Sequence, residues 1–337
     1  MNQYRLLPVL GVACSIMSVS TCVSAQTNNH SYSSIKPGQA YVTRFSGTRV
    51  NPKTNRHELN LDGVVGSIID VRKPLAPHRG QHWFDVPHRY PVLAKDIGQV
   101  FGIAIDHATP RNIYVTATAK FGLHRTHDNQ HWAAGQWGVG PGSIYVLRGK
   151  NHYQPVLFTN VTLNGRPNTG AALGNIVYDA RHQQLFVSDL ETGMIFRYST
   201  ASGEQKGYFD QGLSGRGRFF NKLNSQRESL PKVAFDPKSH AHIHDCVTPF
   251  ETTPVCWNLA DPRRRVYGLG LHKEAQGTQR LYYAAALDKD DTESAIWSVG
   301  INQNGGFNQN DVRLELRLPS NRSGVPQMVS DIAFSNK

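Results

Sequence analysis

The chain has 337 residues, of which 39% are hydrophobic and 18% are charged, and its formal net charge at pH 7 is +11. This length suits one large β domain or two smaller domains, and the lack of a long apolar stretch after the N-terminus excludes a membrane-spanning body. The basic balance favours anionic partners such as an anionic polymer, a surface polysaccharide or an acidic protein, although solubility alone explains it equally well. No RNA- or DNA-binding module accompanies the charge.

The first 25 residues have the pattern of a secretory signal peptide. Arg5 supplies the positive end, Leu6–Val23 is the apolar stretch, and small residues precede the expected cleavage before Gln26. A membrane anchor is the alternative, but Ser, Thr and Cys interrupt the apolar run, and Thr21 disfavours lipidation of Cys22. We therefore expect a periplasmic or secreted protein whose net charge falls from +11 to +10 when Arg5 is removed.

Four cysteines occur, and two of them, Cys14 and Cys22, leave with the signal peptide. Cys246 and Cys256 remain and close the short loop CVTPFETTPVC. In an oxidising compartment such a pair predicts a disulfide bond. Because the loop is short, its stabilising effect is expected to be local.

The segments that follow the signal peptide are uneven. Residues 26–39 are polar, and we expect them to be disordered. Ala40–Phe45 and Val64–Val71 are predicted strands around a turn-rich segment. Lys73–Pro91 contains four prolines and three histidines and is predicted to be an irregular connection.

Residues 173–212 contain four short apolar runs separated by turn-rich gaps, which predicts strands joined by hairpins. The four runs are Asn175–Tyr178, Leu185–Ser188, Met194–Tyr198 and Lys206–Phe209. Four antiparallel strands in this length match one β-propeller blade.

The same spacing recurs on both sides of this stretch. The preceding set consists of Phe101–Ile105, Ile113–Thr118, Ser143–Leu147 and Pro155–Asn160. The following set consists of Val266–Leu271, Leu281–Leu287, Ala295–Gly300 and Val312–Leu318. Val329–Phe334 then reads as one more first strand before the sequence stops. We therefore predict an all-β propeller of four-stranded antiparallel blades over residues 40–337, with an incomplete ring truncated at the C-terminus, because closed propellers need at least about four blades.

The motifs GIAID and NIYV (102–106 and 112–115), NIVYD, LFVSD and MIFRY (between 175 and 198) and DIAFS (331–335) carry a family resemblance. They are similar to those of the NHL, senescence-marker-protein/gluconolactonase and streptogramin-lyase-like six-bladed propellers, over roughly residues 96–337. The chain as a whole also resembles uncharacterised secreted bacterial proteins. The resemblance implies fold only. The second strands carry Tyr-Val-Thr-Ala and Phe-Val-Ser-Asp where streptogramin lyases carry a Trp-Phe-Thr-Glu type, and the gluconolactonase metal ligands have no matching positions, so no catalytic residue is transferred.

Two histidine clusters are candidate metal sites. On a strand, His240, His242 and His244 would point to one side, which suits Zn or Cu with Asp245 nearby, while an exposed polar loop is the alternative. A second and weaker cluster consists of His124, His127 and His131. Four acidic residues could bind Ca²⁺, although a solvated turn explains them better: Asp288, Asp290, Asp291 and Glu293. A divalent metal, Ca or Zn, is thus the only cofactor suggested.

Loop lengths predict where a ligand binds. The loop between the second and third strands of the first set carries an insertion, Gly122 to Gly142, and the connections between sets are also long. These loops emerge at one end of the blades, and repeat proteins tend to place insertions on the binding face. The predicted ligand-binding residues on that face are Trp132, Trp137, Arg166, Asn168, Asp189 and Glu191. We expect a non-enzymatic binding or scaffold protein, and the alternative is a metal-dependent lactonase or lyase.

Overall fold

The computed structural model describes residues 35–53, 55, 57–72, 87–118, 142–168, 173–236, 260–286 and 293–335. This part of the chain is all-β, with antiparallel sheets of three to six strands. Its helices are single turns, such as α1 (Ala94–Ile97). In these ranges no helix has the length and apolar character that crossing a bilayer requires.

The first sheet has three strands and is followed by three larger sheets. The N-terminal strands are β1 (Gln39–Thr43), β2 (Thr48–Val50), β3 (His57–Leu59), β4 (Val64–Asp70) and β5 (Arg89–Leu93). Strands β1, β4 and β5 pair in that order, and β2 and β3 form a separate hairpin. The two predicted strands are confirmed by β1 and β4. The prediction of an irregular connection over Lys73–Pro91 is wrong at its end, because β5 pairs with β4 and tolerates Pro91 on a sheet edge, where no ladder N–H is lost.

Two four-stranded meanders follow, each with its strands in sequence order. The first contains β6 (Val100–Ile105), β7 (Ile113–Ala117), β8 (Ser143–Leu147) and β9 (Pro155–Asn160). A short hairpin, β10 (Thr162–Leu163) and β11 (Arg166–Pro167), connects them. The second contains β12 (Leu173–Asp179), β13 (Gln184–Asp189), β14 (Ile195–Ser199) and β15 (Gln205–Phe209). Both predicted sets of four strands are confirmed to within a few residues at each boundary.

The last sheet has six strands. They are β16 (Phe219–Asn221), β17 (Gln226–Glu228), β18 (Val266–Lys273), β19 (Gln279–Ala285), β20 (Ser294–Ile301) and β21 (Phe307–Leu318). Strands β18 to β21 confirm the third predicted set. The β16–β17 hairpin lies in the long connection between the second and third sets, Leu213–Arg265, and extends this sheet, because β16 pairs in parallel with β21.

The segment 329–334 is not a strand, contrary to prediction, although it lies along β18. A Cβ on Gly268 would be 2.7 Å from the Val329 carbonyl oxygen, and one on Gly270 would be 2.6 Å from that of Ile332. The backbone of this segment is hydrogen-bonded by side chains rather than by a neighbouring strand. Asn175 Nδ2 donates to the Ser330 carbonyl oxygen at 3.2 Å, and Ile332 N donates to the Asp331 carboxylate.

The apolar cores lie between neighbouring sheets. Along β13, Leu185 and Val187 pack towards the preceding sheet, while Phe186 between them packs towards the following one. Strand β7 behaves in the same way, with Ile113 and Val115 on one side and Tyr114 on the other. Because side chains alternate along a strand, a sheet covered on both faces reads as a continuous apolar run. The sheets are therefore stacked face to face in chain order.

Candidate functional site

The first strands of the three large sheets, β6, β12 and β18, approach one another very closely, and glycine permits this. A Cβ on Gly102 would lie 2.8 Å from Asn175 Cα, and one on Gly174 would lie 2.8 Å from the Val266 carbonyl oxygen. Glycine in a strand marks such close backbone approach. At the other side, Thr43 Oγ1 of β1 donates to the Phe101 carbonyl oxygen of β6 at 3.0 Å. The first strands therefore lie side by side, followed by the segment 329–334.

These strands surround a cavity of about 830 Å³, which we call the central cavity. Apolar side chains of β6, β12, β18 and the C-terminal segment form part of its wall: Ile103, Ile105, Val177, Leu269, Leu271 and Ile332. The rest of the lining is polar and includes Asp179, Gln279 and Asp331. A second cavity of about 560 Å³ at the opposite ends of the strands shares Ile103 and Asp331 with it. Both volumes are in the range of small-molecule sites.

The rim of the central cavity is cationic. It is formed where the first strands end, by His107, Arg181 and Lys273. Arg181 and Lys273 are exposed, and within the described ranges neither has a carboxylate ion-pair partner. An unpaired cation beside an apolar wall attracts ligands that carry a negative charge.

Asp179 holds this rim in place. The buried carboxylate accepts hydrogen bonds from the Arg181 backbone N at 3.0 Å and from Gln279 Nε2 of the next sheet at 2.9 Å. His182 Nδ1 lies 2.7 Å from its other oxygen, which also accepts from Gln184 Nε2 at 2.8 Å. Burial alone would raise the pKa of Asp179, but these hydrogen bonds outweigh it and hold the pKa below its usual value. Its role is therefore to fix the turn that carries Arg181 against the neighbouring sheet.

Four of the predicted ligand-binding residues lie together between the β10–β11 hairpin and the turn after β13. Asn168 Nδ2 donates to Asp189 Oδ1 at 2.5 Å, and Arg166 Nη2 lies 2.9 Å from Glu191 Oε1. Asp189 and Glu191 are almost fully buried, whereas Arg166 is about one third exposed. Burial and the neighbouring Glu191 raise the pKa of Asp189 to about 7. In this arrangement only Arg166 of the four offers substantial surface to a ligand.

The other predicted site residues lie outside the described residues. They are Trp132, Trp137, His240, His242, His244, Cys246 and Cys256, together with the second histidine cluster. The ligand face, the metal site and the disulfide bond therefore stay predictions. In the described part, no three His, Cys, Asp or Glu side chains are grouped so that they could hold a metal ion.

The rim cations and the contact of Asn175 with the segment 329–334 were not identified from the sequence. A usable signal exists for the rim, because Asp106 directly follows β6, Asp179 is the last residue of β12, and both accept hydrogen bonds from the following turn. The residues just beyond these aspartates, His107 and Arg181, line the cavity. Aligning the turns as well as the strands would have placed them there.

Comparison with known proteins gives little. No protein family model matches the chain, and no curated protein matches it. Among solved structures, it is similar to the crystal structure of a candidate 6-phosphogluconolactonase from Bacteroides uniformis ATCC 8492, with a TM-score of 0.33 and 10% sequence identity. That match covers 84% of this chain and 69% of the other. A likeness this low identifies neither a family nor an activity.

Proposed function

We propose that the stacked sheets are blades of a β-propeller and that the protein is a binding module whose ligand occupies the central cavity. Three observations support the architecture: meanders in sequence order, first strands side by side, and apolar cores between successive sheets. In such a fold the first strands line the channel, and channel mouths are common ligand sites. The proposed setting, the periplasm or the cell exterior, rests on the N-terminal sequence pattern alone.

The ligand class follows from the cavity. The single observation that carries the proposal is that one cavity is lined by a set of apolar side chains and by two exposed cations, Arg181 and Lys273. An apolar body would displace water from Ile105, Val177 and Leu271, and an anionic group would remain beside the rim cations. The ligand is therefore a small amphipathic molecule with a carboxylate, sulfate or phosphate group.

A fluorescent probe of this class tests the proposal. 8-Anilinonaphthalene-1-sulfonate has an aromatic body and one sulfonate, and we expect the mature, folded protein to bind it with a Kd of order 10 µM. Loss of one charge-assisted contact is worth ~1 kcal/mol, so Arg181→Gln and Lys273→Gln should each weaken binding about fivefold. Lys150→Gln removes an exposed charge outside the cavity lining and serves as the matched control.

Two further measurements separate the cavity from other apolar surface. Val177→Phe should fill part of the cavity and reduce probe binding, while thermal melts report whether each variant is folded. A folded wild type that does not bind the probe contradicts the proposal. Equal affinity in wild type, Arg181→Gln and Val177→Phe contradicts it too.

A further inference from the structure

A third cavity, on the outside of the last sheet, has a different chemistry from the central one. It is a groove of about 520 Å³, here called the basic groove. It is lined by Leu213, Gly215, Gly217, Arg218, Arg227, Lys232, Gln309 and Asn310. Three of these eight residues are cationic and two are amides, and none of the eight is acidic or aromatic. This composition suits an anionic, hydroxyl-rich ligand.

The three cations come from three chain segments that the fold brings together. The turn 211–218 and the segment 230–233 are joined by two backbone hydrogen bonds, Leu230 N to Arg216 O at 2.8 Å and Val233 N to Gly212 O at 2.9 Å. This pairing brings Lys232 beside the turn, where its Cε would lie 4.0 Å from a Cβ on Gly217.

The other two cations come from the end of the turn 211–218 and from β17. Arg218 directly precedes β16, and Arg227 lies opposite Phe220 across the hairpin. Because β16 pairs in parallel with β21, the hairpin is fixed beside Gln309 and Asn310 of that strand. The cations thus converge through a local hairpin and the segment that follows it, and the parallel pairing with β21 adds the distant amides Gln309 and Asn310.

Hydrogen bonds and close packing hold the inner side of the turn 211–218. Buried Arg216 donates from Nη1 to the Pro231 carbonyl oxygen at 3.3 Å and from Nη2 to that of Arg263 at 3.1 Å. Gly215 has φ +81° and packs closely on Val312 of β21. A Cβ at this position would lie 2.5 Å from Val312 Cγ2, which is too close for any side chain. A ligand would therefore meet a groove that is already formed, which lowers the cost of binding.

The cations of the groove are available to a ligand. Arg218, Arg227 and Lys232 are all exposed, and within the described ranges none of them has a carboxylate ion-pair partner. Nearby Lys222 shows the contrast, because its Nζ lies 2.8 Å from Glu315 Oε2. Edge-strand cations also discourage sheet-to-sheet association, but that role does not require Lys232, which is outside the hairpin.

We propose that the basic groove binds an acidic saccharide, with the cations contacting sulfate or carboxylate groups and Gln309 and Asn310 contacting hydroxyls. The volume exceeds that of a single oxyanion and suits two or three sugar rings. Single-stranded nucleic acid is the less suitable polyanion, because its recognition depends on aromatic stacking and the lining offers no ring. This site is independent of the central cavity, so either proposal can fail alone.

The test is calorimetric titration of the mature protein with a heparin-derived hexasaccharide at 100 mM salt. The triple variant Arg218→Gln/Arg227→Gln/Lys232→Gln should bind at least tenfold more weakly. The matched triple Lys53→Gln/Lys150→Gln/Arg322→Gln removes the same charge from exposed positions outside the groove and should change the affinity less than twofold. Thermal melts confirm that both variants are folded.

Three results would overturn the inference. They are no binding by the wild type, equal weakening by both triples, and tighter binding of a twelve-nucleotide oligothymidine than of the hexasaccharide. Either of the first two results would show that the saccharide does not bind in the basic groove. The third would show that an acidic saccharide is not the preferred ligand of the groove. A tenfold effect confined to the groove triple, with weaker oligothymidine binding, supports the inference.

Discussion

Asn175 and Asp331, 156 residues apart in the chain, are joined side chain to side chain where β12 meets the segment 329–334, and Asn175 Nδ2 donates to Asp331 Oδ1 at 2.8 Å. The same nitrogen lies 3.2 Å from the Ser330 carbonyl oxygen, and Asn175 Oδ1 accepts from Ile176 N at 2.7 Å. One amide thus ties β12 to the segment that lies along β18. This segment has no strand pairing, so side-chain bonds of this kind hold it in place.

A double-mutant cycle measures this contact. We expect Asn175→Ala and Asp331→Ala to destabilise the protein separately and to show a coupling free energy of ~1 kcal/mol. This is less than the ~1.5–3 kcal/mol typical of a hydrogen bond to a charged group, because Asp331 is exposed to water. Urea denaturation of the wild type, the two single variants and the double variant supplies the four values. Amide hydrogen exchange at residues 329–333 should become faster in both single variants. A coupling energy near zero would mean that the contact does not hold the segment.

Asp179→Asn should destabilise the protein by ~3 kcal/mol, because it removes a buried charge that accepts hydrogen bonds from two sheets. Asp106→Asn is the matched comparison and should cost less, since the partners of Asp106 all belong to its own sheet. Urea denaturation of both variants gives the two costs. Because the pKa of Asp179 is lowered in the folded state, its contribution is full above the unfolded value near 4 and is lost as the pH falls further. If the two variants lose the same free energy of unfolding, the hydrogen bond between Asp179 and Gln279 of the next sheet contributes nothing extra.

Asp189 should make stability depend on pH in the opposite direction. Its pKa is raised to about 7 in the folded state, so the folded protein binds a proton that the unfolded chain releases near pH 4. Stability should therefore fall as the pH rises from about 4 to about 7, by at most ~1.4 kcal/mol per pH unit for one group. Asp189→Asn cannot titrate and should show a flatter profile in urea denaturation between pH 5 and pH 8. Parallel profiles for wild type and variant would contradict this assignment.

Gly102→Ala should be costly, whereas Gly217→Ala should not. A Cβ on Gly102 would lie 2.8 Å from Asn175 Cα and 2.9 Å from the Gly174 carbonyl oxygen, both backbone atoms that cannot move aside freely. We expect a loss of ~2–3 kcal/mol from overpacking between β6 and β12. At Gly217 the nearest atom is Lys232 Cε at 4.0 Å, so the change should be close to neutral. Thermal unfolding distinguishes the two, and a neutral Gly102→Ala would show that the first strands are not in tight contact.

The sequence determined the strands, because alternation of apolar runs with Gly-, Asp- and Asn-rich turns is local information. It therefore predicted three sets of four strands and β1 and β4. Loop lengths and strand direction in the sequence also predicted that Arg166, Asn168, Asp189 and Glu191 lie on one face. The four residues lie together in the structure. That a ligand binds there stays a prediction. The sequence did not reveal that three of the four, Asn168, Asp189 and Glu191, are buried, since burial depends on which loop covers which turn.

Only the tertiary structure decided the contacts between distant segments. The parallel pairing of β16 with β21 brings Arg227 and Gln309 to one groove, and the close approach of β12 and β18 allows Asn175 to reach Asp331. Strands of three residues have too few positions to show a period, and a side-chain bond across 156 residues leaves no local pattern. The pairing of these short strands and the bond between Asn175 and Asp331 both depend on how the sheets stack, which is a property of the whole chain rather than of any segment.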